Sequence, residues 1–273
     1  MRTHWTVLLA MIVMLVQVIV GTLPATLLLG QTHPLRGVLG AAGITLTALL
    51  LVYLVRRFLD RRPWGTLGWR HPLRILPGVL AGALPAVVAN LIALAAGASV
   101  WKPVEASAYL GLPLFAVVTL LNQAFPEELL WRGHVFETLS QRLSPRAVVV
   151  VVSAGFGVMH IISQGPVTTV LERVLYVVMA VALGFACTAG RVRGGGLWMA
   201  TGVHLGFHLG MRLLPLEFVN FGVTLALLTV TLTLAGLIML RSGPKDVPEP
   251  VTGAQQPGSG RHAREDGAAP ASG

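Results

Sequence analysis

Residues Trp5 to Leu29 read WTVLLAMIVMLVQVIVGTLPATLLL, an unbroken run without one charged side chain. A helix that crosses about 30 Å of hydrocarbon needs roughly 20 apolar residues at 1.5 Å each, and this run is long enough. It exceeds a signal-peptide core and lacks a convincing small-residue cleavage site, so it reads as a membrane helix. The pattern then repeats. Runs at Gly37 to Val55, Ile75 to Ser99, Tyr109 to about Leu139, Ala147 to Ile162, about Thr169 to Ala189, Leu197 to Leu214 and Phe218 to Leu240 bring the number of spans to eight. The sequence therefore predicts an all-α integral membrane protein, a bundle of about eight transmembrane helices around an interior polar cavity.

Composition agrees with that reading. The 273 residues are 54% hydrophobic and 11% charged, with a mean hydropathy of +0.74, whereas a soluble domain carries about 25% charged residues. The formal net charge of +9 would suit nucleic acid in a soluble protein; here it is assigned to orientation, and no nucleic-acid partner is expected. Six arginines, Arg56, Arg57, Arg61, Arg62, Arg70 and Arg74, fall in one connection between spans, and positive loops stay on the cytoplasmic side. Eight spans then put Arg142, Arg146, Arg191, Arg193 and Arg241 on the same side, with both termini cytoplasmic. That connection, with Trp64 and Trp69 in the headgroup layer, is expected to lie along the inner surface. Residues 1–240 form the transmembrane domain; residues 241–273, rich in Gly, Pro, Ala, Ser and Gln, are expected to form a disordered cytoplasmic tail. The single cysteine, Cys187, excludes an internal disulfide and reads as a small packing residue.

Ionisable groups cost about 2.5–3.5 kcal/mol each at the centre of a span, so those that persist usually serve a site or a pathway. Three clusters qualify: Phe125-Pro126-Glu127-Glu128-Leu129-Leu130-Trp131-Arg132, Phe156-Gly157-Val158-Met159-His160, and His204-Leu205-Gly206-Phe207-His208. Counted from Arg142, Arg146 and Arg193, Glu127, His160 and His208 lie at nearly one depth, about 21–22 Å at 1.5 Å per residue. Glu127 and Glu128 point about 100° apart on a helix. Glu128 and Arg132 are spaced for an i,i+4 ion pair, which leaves Glu127 to face the histidines. His204 and His208, four apart, share a helix face. His134, near the inner boundary, is expected to be solvated or bound to headgroups. A carboxylate and imidazoles at one level can take a proton from water and stabilise an oxyanion. The same residues, Glu127, His160, His204 and His208, can instead hold a divalent metal such as zinc that acidifies its water. Both routes lead to hydrolysis.

At these residues the chain resembles the CPBP family of intramembrane endopeptidases, which includes the type II CAAX prenyl proteases and the bacteriocin-processing and immunity proteins. Glu127, Glu128 and Arg132 match the family's EExxxR, Phe156 and His160 its FxxxH, and His204 lies at the start of its HxxxN. His208 stands where the family usually has Asn. The resemblance implies an intramembrane (metallo)endopeptidase in which Glu127 and His160 activate water, His204 and His208 bind the oxyanion, and Glu128 and Arg132 support the site. The substrate it implies is a membrane-associated or lipidated, CAAX-like protein or peptide, reached from the inner side of a bacterial cell membrane. Two other functions fit the same polar residues: a non-cleaving scaffold or immunity protein that binds a peptide in the cavity, and a proton-coupled transporter. The latter predicts inverted repeats, and the sequence has no convincing internal repeat.

Overall fold

The computed structural model describes residues 3–163 and 165–241; the tail expected to be disordered lies, from residue 242 on, outside the described residues. Seven stretches are long and apolar enough to cross a membrane. They are Thr3–Leu28 (α1), Arg36–Leu59 (α2), Trp64–Ala95, whose regular helix is Ile75–Ala95 (α3), Ala106–Ser140 (α4), Pro145–Ile162 (α5), Val170–Gly194 (α6) and, after α7, Phe221–Arg241 (α8). The 17-residue helix Leu197–Leu213 (α7) completes the bundle. Polar and apolar residues are distributed as in a protein bathed in lipid. Thr6 and Gln17 are fully buried, whereas Leu80 and Leu46 are 72% and 66% exposed.

Local chemistry sets the helix ends. Ser144 caps α5, its hydroxyl accepting from the Ala147 amide, and Pro145 occupies the first turn, where a missing N–H costs nothing. Thr169 and Glu172 form a reciprocal capping box at the start of α6. At the other end of α6, Gly195 adopts φ +60°, a conformation that glycine takes without strain. Leu197 then donates its amide to the Gly68 carbonyl at 2.7 Å, tying the start of α7 to the α2–α3 connection.

The third span is shorter than the sequence suggested. Its helix stops at Ala95, the chain turns through Gly97 at φ +71°, and Ser99–Trp101 (β1) pairs antiparallel with Leu216–Phe218 (β2). Lys102 and Glu217 form an exposed ion pair at 3.3 Å beside this small sheet. It ties together the ends of α3, α7 and α8 that lie away from the arginine-rich connection.

That connection is anchored to the bundle through one buried arginine. Arg56 is 1% exposed; its guanidinium donates to Glu137 at 3.1 Å and also to the Pro63 carbonyl and the Thr66 hydroxyl. Arg62 reaches Glu137 and Gln141, each at 2.9 Å. A buried arginine must find acceptors, and Glu137 with the turn carbonyl draws the loop into the bundle. Trp69, partly buried, packs on Phe125 and Trp198 with ring centroids 6.2 and 6.1 Å away.

α3 and α7 meet through glycine. A Cβ on Gly82 would lie 1.9 Å from the Val203 carbonyl oxygen, and one on Gly206 would lie 2.1 Å from that of Val79. Without side chains the two backbones touch, as small residues allow between membrane helices. Gly82→Ala is therefore expected to push the helices apart beside His204 at a cost of about 1–3 kcal/mol. A lowered thermal midpoint of the purified protein in detergent checks this; an unchanged midpoint refutes the close approach.

Candidate active site

Four helices build the site. α4 carries Glu127, Glu128 and Arg132; α5 carries Phe156 and His160; α6 contributes Tyr176, Gly184, Cys187 and Thr188; α7 carries His204 and His208. α4 is not a uniform α-helix. Pro126 cannot donate to the carbonyl four residues back, and the turn before it widens into a π segment, Leu120–Ala124, in which the Phe125 amide bonds to Leu120. A second π segment, Leu129–Val135, follows. The two glutamates thus sit on one regular turn, Phe125–Glu128, between two widened ones. π turns inside helices concentrate at functional sites.

The second π segment also overturns the reading of His134. Its extra residue per turn rotates the helix, so His134 is buried at 2% exposure, with its Nε2 3.5 Å from Asp60 Oδ2. It is neither solvated nor at a headgroup.

Glu128 and Arg132 form the ion pair that their spacing predicted, at 2.9 Å with both side chains fully buried. The pair is embedded further. Arg132 donates through Nη2 to the Gly184 carbonyl and through Nε to Thr188 Oγ1 at 3.3 Å, and Thr188 in turn donates to Gly184 at 2.8 Å. Its guanidinium carbon lies 4.6 Å from the centre of the Phe156 ring. The same Glu128 oxygen that accepts from Arg132 also accepts from His204 Nδ1 at 3.0 Å. Glu128, rather than Glu127, therefore orients His204.

Phe156 is the hub. Its ring meets His160 at 4.7 Å, His204 edge-on at 5.8 Å and Trp131 edge-on at 6.3 Å. His204 and His208 stack at 5.3 Å with 21° between their planes. The three histidines predicted from two separate spans are thus brought into one connected aromatic cluster. Glu127, 8% exposed, is next to it: the charged groups that act on this carboxylate are His204, Glu128 and Arg132, and its Oε2 is buried without a hydrogen-bond partner.

Hydrogen bonding fixes what each imidazole can offer. α5 tightens into a 3-10 turn at Met159–Ile162, and His160 Nδ1 lies 2.9 Å from the Phe156 carbonyl. A carbonyl only accepts, so Nδ1 carries the hydrogen and the neutral ring presents a bare Nε2 lone pair. By the same logic His204 gives its Nδ1 hydrogen to Glu128. His208 makes no hydrogen bond among the described residues, so its neutral ring keeps one N–H to donate.

Metal-type donors come closest together at Glu128, Cys187 and His204, whose ligand atoms lie within 4.8 Å of one another. Cys187, read from sequence as a packing residue, is indeed fully buried, but it is buried against the charged pair. The set fits a cation poorly. Glu128 already shares one oxygen between Arg132 and His204, and a metal there would face a guanidinium at ion-pair distance.

No sequence signal marks Tyr176, whose ring lies 6.2 Å from that of His160, or Thr188. Neither belongs to a motif; both reach the site from α6 through tertiary packing alone.

Residues 109–210 match the family model described as type II CAAX prenyl endopeptidase Rce1-like. The match contains every site residue above and excludes α1, α2, α3 and α8. A search of curated proteins found no match.

Proposed function

We propose, from the match of residues 109–210 to the type II CAAX prenyl endopeptidase family, that the chain is an intramembrane endopeptidase of the CPBP family and hydrolyses a peptide bond in a membrane-associated or lipidated, CAAX-like protein or peptide. The observation that supports this reading is the presence, on α4 and α5, of two unsatisfied bases: Glu127 with a buried, partnerless oxygen, and His160 with Nδ1 tied down and Nε2 free. Water held between them loses a proton as it attacks the scissile carbonyl, and the imidazolium of His160 returns that proton to the departing amine. His208 donates its free N–H to the developing oxyanion. His204 can donate there through Nε2 as an imidazolium, with Glu128 as its counter-ion. Glu128 and Arg132 hold His204 and the backbone of α6 in place.

The chemistry we propose needs no metal, because the closest donor set is already neutralised by Arg132. The enzyme is read as an integral membrane protein of a bacterial cell membrane, with its arginine-rich ends and both termini cytoplasmic.

Incubating the purified protein in liposomes with a prenylated CAAX-type peptide, in water enriched in oxygen-18, tests the reading directly. Mass spectrometry is expected to find a shortened peptide with one heavy oxygen in its new carboxylate, equally in the presence of a zinc chelator. A peptide that is retained but stays intact favours the peptide-binding scaffold; cleavage lost on chelation and restored by zinc favours the metalloenzyme.

A further inference from the structure

Tyr176 lies on α6 seven residues after its Thr169 cap. Its ring is half-buried, and its hydroxyl makes no hydrogen bond to any described residue. A phenol held in an apolar span ordinarily finds a partner for its O–H, and none of the described residues supplies one. One distance places the ring at the site: it is 6.2 Å from that of His160. Tyr176 thus stands beside His160 from a different helix, with an unused donor among the described residues.

Glu172, one turn before Tyr176 on the same face of α6, lines a cleft of about 410 Å³ together with Lys102, Thr168 and Glu217, at the end of the bundle that carries β1 and β2.

Resting on the hydrolase reading, we propose that the Tyr176 hydroxyl is a catalytic hydrogen-bond donor to the carbonyl oxygen of the scissile peptide. It adds a donor from α6 to those that His204 and His208 offer from α7. The bond strengthens as the carbonyl oxygen becomes an oxyanion, and no proton is transferred.

The test compares Tyr176→Phe and Tyr176→Leu with the wild type in two assays. One measures kcat and KM on the prenylated peptide. The other measures the dissociation constant of the same peptide against that of its difluoromethylene-ketone analogue, which hydrates to a tetrahedral centre. Tyr176→Phe is expected to lower kcat about 10²-fold with little change in KM, and to weaken binding of the ketone by a similar factor while leaving binding of the peptide alone. Tyr176→Leu is expected to behave the same. Wild-type kcat and ketone affinity in Tyr176→Phe overturn the proposal, as does a loss confined to Tyr176→Leu, which assigns the effect to ring packing. A wild-type protein that binds but never cleaves refutes the hydrolase reading separately, and the ratio of ketone to peptide affinity still reports on the hydroxyl.

Discussion

Replacing Glu127 by Ala is expected to reduce peptide cleavage by about 10²- to 10⁴-fold, the usual contribution of a positioned general base, without destabilising the protein. The second half of that expectation separates a working carboxylate from a structural one. Glu127 is buried, yet its Oε2 accepts no hydrogen bond. A polar atom in that condition carries the cost of lost hydration with nothing to offset it. Removing it takes that cost away, so the thermal midpoint of Glu127→Ala should equal or exceed that of the wild type. His160→Ala should lose activity to a similar extent, because its Nε2 is the partner base. Cleavage rates on the prenylated peptide and thermal unfolding in the same detergent check both halves. Retained cleavage, or a fall in midpoint with activity lost only in proportion to unfolded protein, counts against the assignment.

The eight helices were legible because a membrane span announces itself by length. An apolar run either reaches about 20 residues or it does not, and the predicted ends fall within a few residues of the observed ones for α1, α2, α5 and α7. The motif residues were legible because charge in such runs is conspicuous. What escaped was everything that depends on partners distant in sequence. β1 and β2 are three residues each and pair across more than a hundred positions, so neither carries a strand pattern of its own. Arg56 looked like a surface charge, because Glu137, which draws it inward, belongs to a different span. The π segments had one visible cue, Pro126 inside a span, but the widening after the glutamates has none, and it moves His134 onto Asp60. The roles of the two glutamates were separable by their angular offset. Which of them would hold His204 was not, since that depends on how α7 docks through its glycines against α3.

Glu128→Ala is expected to have the opposite balance, a large loss of stability together with loss of activity. The substitution strands Arg132, a fully buried cation whose one carboxylate partner is Glu128 at 2.9 Å, and it strips His204 Nδ1 of its acceptor. Breaking a buried pair from one side typically costs about 3–5 kcal/mol, because the remaining charge stays desolvated. The contacts of Arg132 with Gly184 and Thr188 satisfy its hydrogens but supply no counter-charge. The double variant Glu128→Ala, Arg132→Leu removes both charges at once, and apolar replacement of a buried pair is often nearly neutral. The thermal midpoint should therefore recover most of the loss seen in the single variant. Cleavage should not recover, since His204 is still without the carboxylate that orients it and balances its charge. Measured side by side, stability rescued without activity assigns Glu128 to His204 as well as to Arg132. If activity returns with stability, Glu128 serves only to neutralise Arg132, and the chemistry runs through Glu127 and His160 without a fixed His204.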